Sequence, residues 1–271
     1  MPTERERGRG REALGASWVA LVAAAWVLSC AGPIDPLTSA GQAPSVAAAA
    51  PPSSGALLRA MSDYLSAQGA FSFHFETSFE ILDRDQKLQF AGAGDVAIRR
   101  PDGMVLDYRD DLSVRRVWYD GAQLTLFDPV SGMYASAEAP SNLDEALDYF
   151  EELYGLVMPL TDLIGEDAYS LIASRARRAI HVGLYDVGGE SCHHLAFLGE
   201  SADLQLWIRD GDDPVPCKLV VDNKEEPGWP GYIAVLSDWE FGRRFSASHF
   251  VPEIPEGARK IEFLQVEEAR R

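Results

Sequence analysis

The sequence predicts a mainly β fold with a few helices (α+β), built as one large curved antiparallel sheet that forms a half-open barrel under a helical lid. Three observations predict it. Period-two alternation of apolar and polar residues recurs in short runs from about residue 70 to residue 263. Asp-Gly or Ser-Gly pairs at Asp102-Gly103, Asp120-Gly121 and Ser131-Gly132 separate consecutive runs by hairpin-sized gaps. Apolar residues at helical spacing occur in only a few short segments. A sheet with one apolar face must be covered, and those segments are the amphipathic elements available to cover it.

Taken in order, the first element is a short helix in which Leu57, Leu58, Met61, Tyr64 and Leu65 share a face and Gly69 acts as a stop. Phe71, Phe73, Phe75, Thr77, Phe79 and Ile81 then alternate with Ser72, His74, Glu76, Ser78 and Glu80, the clearest strand pattern in the chain. Leu88, Phe90, Val96 and Ile98 continue the alternation around Gly92 and Gly94, which suggest a bulge or bend. Strands are expected at residues 104–108, 114–119, 123–127 and 133–137, as an antiparallel meander. Ser141 and Asn142, with Asp144 and Glu145 three residues on, offer N-caps for a second helix whose Leu143, Ala146, Leu147, Phe150, Leu153 and Tyr154 recur at three and four before Gly155. Residues 159–173 read as short helical turns. Strands resume at 179–185, 190–197, 203–209, 217–222, 232–241 and 259–263.

The N-terminus is organised differently. Arg5, Arg7, Arg9 and Arg11 precede an apolar run from Ala13 to Leu28 that closes at Val27-Leu28-Ser29-Cys30-Ala31. This is a signal-peptide pattern. As a helix the run spans about 24 Å, short of a hydrocarbon core of about 30 Å. Val27, two residues and Cys30 resemble a bacterial lipobox, in which the Cys thiol is diacylated and becomes the first mature residue; ordinary cleavage nearby and an uncleaved anchor are the alternatives, and all three export the chain. The expected organisation is a signal peptide (1–29), lipidated Cys30 with a flexible Ala/Pro/Ser tether (30–54), one folded domain (55–264) and a charged tail (265–271). The tether composition buries too little side-chain area to offset its ordering entropy.

Composition narrows the partners. The chain has 271 residues, 46% of them hydrophobic, so it can bury a sizeable core. Lys plus Arg total 24 against 42 Asp plus Glu, a formal net charge of -18. Nucleic acid is excluded as a partner, because its binding rests on neutralising phosphates with Lys and Arg. Attachment to an anionic membrane then has to be covalent or hydrophobic.

Several segments carry a family resemblance. Asn142-Leu143-Asp144-Glu145-Ala146-Leu147-Asp148-Tyr149 with Tyr154-Gly155 and Pro159 resembles the signature segment of the bacterial predicted periplasmic proteins called the domain of unknown function 2092 family. So do Val187-Gly188-Gly189, Cys192-His193-His194-Leu195-Ala196-Phe197, Gln205-Leu206-Trp207-Ile208, Pro216 with Lys218-Leu219-Val220, Leu236-Ser237-Asp238-Trp239 and Pro255-Glu256-Gly257-Ala258-Arg259-Lys260-Ile261. The resemblance spans about Leu57 to Phe263. It implies a fold similar to the periplasmic lipoprotein carriers and RseB-type envelope-stress regulators, with a hydrophobic cavity under a helical lid. It implies no activity and transfers no catalytic residue.

Enzymatic motifs fail on residue type or spacing. Gly189-Glu190-Ser191-Cys192-His193 lacks the second glycine of a nucleophile elbow. No phosphate loop or dinucleotide fingerprint is present, and adjacent His193 and His194 point to opposite faces of a strand, against a shared metal. Asp210-Gly211-Asp212-Asp213 is expected to be a hairpin turn rather than a calcium loop. No catalytic residue, metal or cofactor is expected.

If Cys30 carries lipid, Cys192 and Cys217 remain as an even pair in an oxidising compartment, which points to a disulfide. With one strand between them they would lie about 9.6 Å apart, so two free thiols stand as the alternative. The cavity candidates are Phe73, Phe75, Phe79, Tyr108, Trp118, Leu147, Phe150 and Trp207, since so many strands present more inward positions than short helices cover. The expected function is an exported, lipid-anchored periplasmic protein, held at the outer membrane through Cys30. It would bind an apolar ligand such as an acyl chain, lipid or lipidated peptide. The alternative is a sensing or docking module for an envelope protein, with a filled core.

Overall fold

The computed structural model describes residues 52–266, apart from 85, 157 and 159. The expected signal peptide, Cys30 and nearly all of the tether lie outside the described residues, as does 267–271. The first helix, α1 (Ser54–Ser66), begins where the Ser53 hydroxyl accepts from the Ala56 N–H at 3.2 Å, a side-chain cap. Its Leu58, Met61 and Leu65 stripe is fully buried.

Six strands follow as a meander: β1 (Ala70–Asp83), β2 (Gln86–Arg99), β3 (Gly103–Asp110), β4 (Val114–Tyr119), β5 (Gln123–Asp128) and β6 (Met133–Glu138). Each pairs antiparallel with the next. Aspartates close three of the connections. Asp110, Asp120 and Asp128 each accept backbone N–H groups two and three residues ahead, the short-range bonding that makes Asp a turn residue.

The helical interlude is α2 (Leu143–Tyr154), α3 (Thr161–Ile164) and α4 (Ala168–Arg175). The Asn142 side chain accepts from the Asp144 and Glu145 N–H groups, Asp144 and Glu145 place negative charge in the first turn, and Gly155 ends α2 at φ 66°. Then come β7 (Ala176–Val187), β8 (Glu190–Gly199), β9 (Ala202–Arg209), β10 (Pro216–Asn223), β11 (Gly231–Phe241), a 3-10 turn (Ala247–Phe250) and β12 (Arg259–Ile261).

All twelve strands form one curved, unclosed sheet in the order β12-β6-β5-β4-β3-β2-β1-β11-β10-β9-β8-β7. Two meanders therefore meet where β1 pairs with β11, and β6 and β7, consecutive in the chain, lie toward opposite sides of the sheet. The chain between them crosses the apolar face. Leu143, Ala146, Leu147 and Phe150 of α2, Leu163 and Ile164 of α3, and Ala168 and Ile172 of α4 are buried in the same core as Phe71, Phe73, Ile98, Leu195 and Leu206 of the strands. A smaller cluster of Val105, Trp118, Phe127 and Phe250 lies on the other face, where the C-terminal segment packs.

Three expectations need correction. The sheet is not wholly antiparallel, because β12 pairs parallel with β6: the chain returns to that edge from β11, in the middle of the sheet, rather than by a hairpin. Gly92 and Gly94 do not mark a bulge, since β1 and β2 stay in unbroken register from Ala70–Arg99 to Asp83–Gln86. The two-strand spacing does not keep Cys192 and Cys217 apart. They are disulfide-bonded with Cα atoms 6.9 Å from each other. The register of β10 slips between Pro216 and Lys218, leaving Cys217 as the extra residue, and the bend carries it toward β8.

Leu147 on α2 is 8% exposed. Replacing it with Asp puts a carboxylate into that contact and is expected to cost at least about 3 kcal/mol. Chemical denaturation measures this, and an unchanged midpoint would show that α2 is not packed on the sheet.

Candidate functional site

The inner face changes character along β1. From Phe71 to Phe73 it is filled: Phe73 stacks on Trp239 with centroids 4.4 Å apart, and Tyr64 of α1 meets Phe241 edge-on at 5.3 Å. From Phe75 onward it opens. Phe75, Gly94 and Tyr108 are direct partners across β1, β2 and β3, so a residue without a side chain sits between two rings. The Phe75 and Tyr108 rings close over it with centroids 5.8 Å apart and planes 12° from parallel.

The glycines have a different role from the bend expected of them. A Cβ on Gly94 would lie 2.7 Å from the Phe75 Cζ, and one on Gly92 would lie 2.7 Å from the Tyr108 hydroxyl oxygen. Both rings therefore lie down on the sheet instead of standing off it. The Tyr108 hydroxyl crosses Gly92 to reach the Thr77 Oγ1 at 3.3 Å. Burial raises the Tyr108 phenol above its ordinary pKa and raises that of Tyr232 further, so both stay protonated at neutral pH.

Above these rings lies a cavity of about 340 Å³. Val96, Met104, Val117, Leu160 and Ile164 make its buried end, while Phe75, Phe79, Leu106, Tyr108, Leu126 and Tyr232 form the sheet-side wall. Leu156, Met158, Leu160, Thr161 and Ile164, from the end of the α2–α3 connection through α3, are the opposite wall. That wall is tied to the sheet from one corner. The largely buried Arg100 donates from Nη2 to the Ile164 carbonyl and lies 3.9 Å from Asp144, whose Oδ2 in turn accepts from the Glu166 N–H at 2.7 Å. Desolvation holds the Arg100 guanidinium below its ordinary pKa, and among the described residues its Nε has no hydrogen-bond partner.

The structure gathers some of the expected cavity residues and separates others. Phe75, Phe79 and Tyr108 line the cavity. Phe73, Leu147 and Phe150 belong to the packed core beside it. Trp118 and Trp207 are elsewhere, and strand parity is the reason. Val117 and Tyr119 face inward, so Trp118 faces the opposite side and packs with Phe250; Leu206 and Ile208 face inward, so Trp207 stacks on His194 at 4.0 Å on the other surface. The sequence does not mark Leu156, Met158, Leu160, Thr161 and Ile164 as a cavity wall, because the α2–α3 connection and the four-residue α3 are too short to show a face by periodicity. Among the described residues, no three His, Cys, Asp or Glu side chains are grouped as a metal site requires. His193 and His194 do diverge, the first bonding His181 and Asp210 and the second Gln205.

Comparison with known proteins gives one family. The family model described as "Predicted periplasmic protein (DUF2092)" matches residues 54–264. No curated protein matches the chain in sequence. Similar solved structures include an uncharacterized conserved protein from Thermus thermophilus, at 8% identity over 76% of this chain and 96% of that one, TM-score 0.46. A LolA superfamily protein from Nitrosomonas europaea is similar at 9% identity, 74% and 98% coverage and TM-score 0.38. The lipoprotein LppX from Mycobacterium tuberculosis is similar at 16% identity, 69% and 96% coverage and TM-score 0.39.

Gly94→Ala is expected to destabilise the domain by about 1–3 kcal/mol, because the added methyl meets both a ring and the Asp107 carbonyl. Gly55→Ala in α1, where nothing lies within 4 Å, should be neutral or stabilising by up to about 1 kcal/mol. Equal effects in urea denaturation would show that ring packing over Gly94 contributes nothing.

Proposed function

Since this chain belongs to the DUF2092 family of predicted periplasmic proteins, we propose that it is an exported, lipid-anchored envelope protein that binds an apolar ligand, an acyl chain, lipid or lipidated peptide, in the cavity beside α3. The observation that carries this reading is the cavity itself. Its volume falls at the lower end of the roughly 300–1,000 Å³ of small-molecule sites, its wall is mostly aliphatic and aromatic, and one side of it is a short segment rather than the sheet. Affinity would come from apolar burial at about 25 cal/mol per Å², with no need for charge contacts. Entry would be from the end where Leu112 is exposed, since the other walls belong to the hydrogen-bonded sheet and to α3.

The reading is not enzymatic. Two polar groups at the cavity are engaged in local structure: Thr161 Oγ1 donates to the Met158 carbonyl at 2.8 Å, and Asp110 Oδ1 accepts from the Leu112 and Ser113 N–H groups. No nucleophile with a neighbouring base is assembled from them. A docking module with a filled core, which would take an envelope protein instead, is the reading this cavity disfavours.

An apolar fluorescent probe should bind the purified full-length protein saturably, and Leu126→Trp, which pushes a larger ring into the cavity from β5, should abolish binding while unfolding stays cooperative. The unfolding control matters because loosened states also bind such dyes. Absence of saturable binding by the wild-type protein would remove the ligand reading.

Anchoring is tested separately. Cys30→Ser is expected to abolish incorporation of a fatty-acid analogue and to release the protein from the outer-membrane to the soluble periplasmic fraction. Unchanged labelling and fractionation would contradict lipidation at Cys30.

A further inference from the structure

The open end of the cavity is unlike its floor. Val96, Met104, Val117, Leu160 and Ile164 are at most 7% exposed, whereas Leu112, in the β3–β4 turn, is 59% exposed and Arg115 beside it is exposed as well. Arg115 is the direct β4 partner of Tyr108 and shares the inner face with Val117. Its charge therefore stands at the rim of a mostly apolar space, beside Asp110. Among the described residues it forms no hydrogen bond or ion pair, while Arg116 next to it pairs with Asp107 on the outer face. Two carboxylates share its surroundings: Asp110 lines the same rim, its Oδ1 accepting from Leu112 and Ser113, and Asp128 is held below its ordinary pKa by hydrogen bonds from Ser131 and Val130 and by the Arg115 charge.

We propose that Arg115 selects the head of the ligand, and that the cavity takes a single-chain anionic amphiphile, its tail toward Met104 and Ile164 and its carboxylate or phosphate at Arg115. The proposal rests on the apolar-ligand reading and narrows it. A chain with net charge -18 repels anions over most of its surface. A cation at an apolar rim is then the local feature that would admit one, and guanidinium matches both carboxylate and phosphate geometry. The volume of about 340 Å³ suits one chain rather than several. The Tyr108 hydroxyl, 3.3 Å from Thr77 Oγ1, is a further polar group on the same wall.

The test compares hexadecanoate, hexadecyl phosphate, hexadecanol and hexadecyltrimethylammonium as competitors of a bound apolar probe, using the full-length protein. Either anion should bind tighter than the alcohol, and the ratio between the two anions identifies the head. Arg115→Gln should weaken the anions roughly threefold to fivefold, the size expected of an exposed pair, and leave hexadecanol unchanged. Arg115→Lys should retain most of the preference, and added salt should erode it. Hexadecanol binding as well as the anions, indifference to Arg115→Gln, or tightest binding of the ammonium would overturn the proposal while the apolar-ligand reading stands. Displacement by none of the four would overturn both.

Discussion

Strands β6 and β7 follow one another in the chain but lie toward opposite sides of the sheet, so the residues between them must cross its apolar face. This constraint determines the architecture. A crossing of residues 139–175 has to be amphipathic, which α2 is, with Leu143, Ala146, Leu147 and Phe150 buried beneath an acidic outer side. It also has to be anchored at its ends. Asn142 caps α2, the Leu143 N–H donates to the Pro101 carbonyl, and Arg100 from the same strand end reaches Ile164. α1 adds the rest of the cover by packing on α3 and α4 and against β7 and β9. Twelve strands present more inner surface than these short helices fill, and the unfilled part lies over β1 to β5.

Space persists there because of what the strands lack. Two glycines on β2 let Phe75 and Tyr108 lie flat, so the rings seal the sheet-side wall without occupying the volume above it. A residue with a side chain at Gly94 would force the rings apart. The alternation of Phe71, Phe73 and Phe75 thus serves two ends on a single strand: a packed aromatic ladder next to α1, and a cavity wall farther along.

The elements were legible in the sequence because each has its own local signal. Alternation marked the strands, the Asn142 cap and Gly155 stop marked α2, and the Asp-rich turns marked the hairpins. Long-range order was not. Nothing local to β11 says that it pairs with β1, and nothing in residues 259–261 says that the chain comes back to β6 in parallel. The candidate site was legible in part for the same reason. Phe75 and Phe79 follow from parity along one strand, whereas the size of Trp118 and Trp207 suggests an inward ring and the parity of their buried neighbours turns both outward. The wall made by Leu156, Met158, Leu160 and Ile164 spans a connection and a four-residue helix too short to show periodicity, and the meaning of Gly92 and Gly94 emerges only once their partners across β1 and β3 are known.

The central claim is that the space between Phe75, Tyr108 and Ile164 is a binding site rather than a packing flaw. Native mass spectrometry of the full-length protein, isolated from cell envelopes without added lipid and compared with the denatured protein, tests it most directly. The account predicts a population carrying one small apolar molecule that is lost on denaturation and absent from the Leu126→Trp protein. A single ligand-free mass under gentle conditions, with wild type and variant indistinguishable, would contradict it.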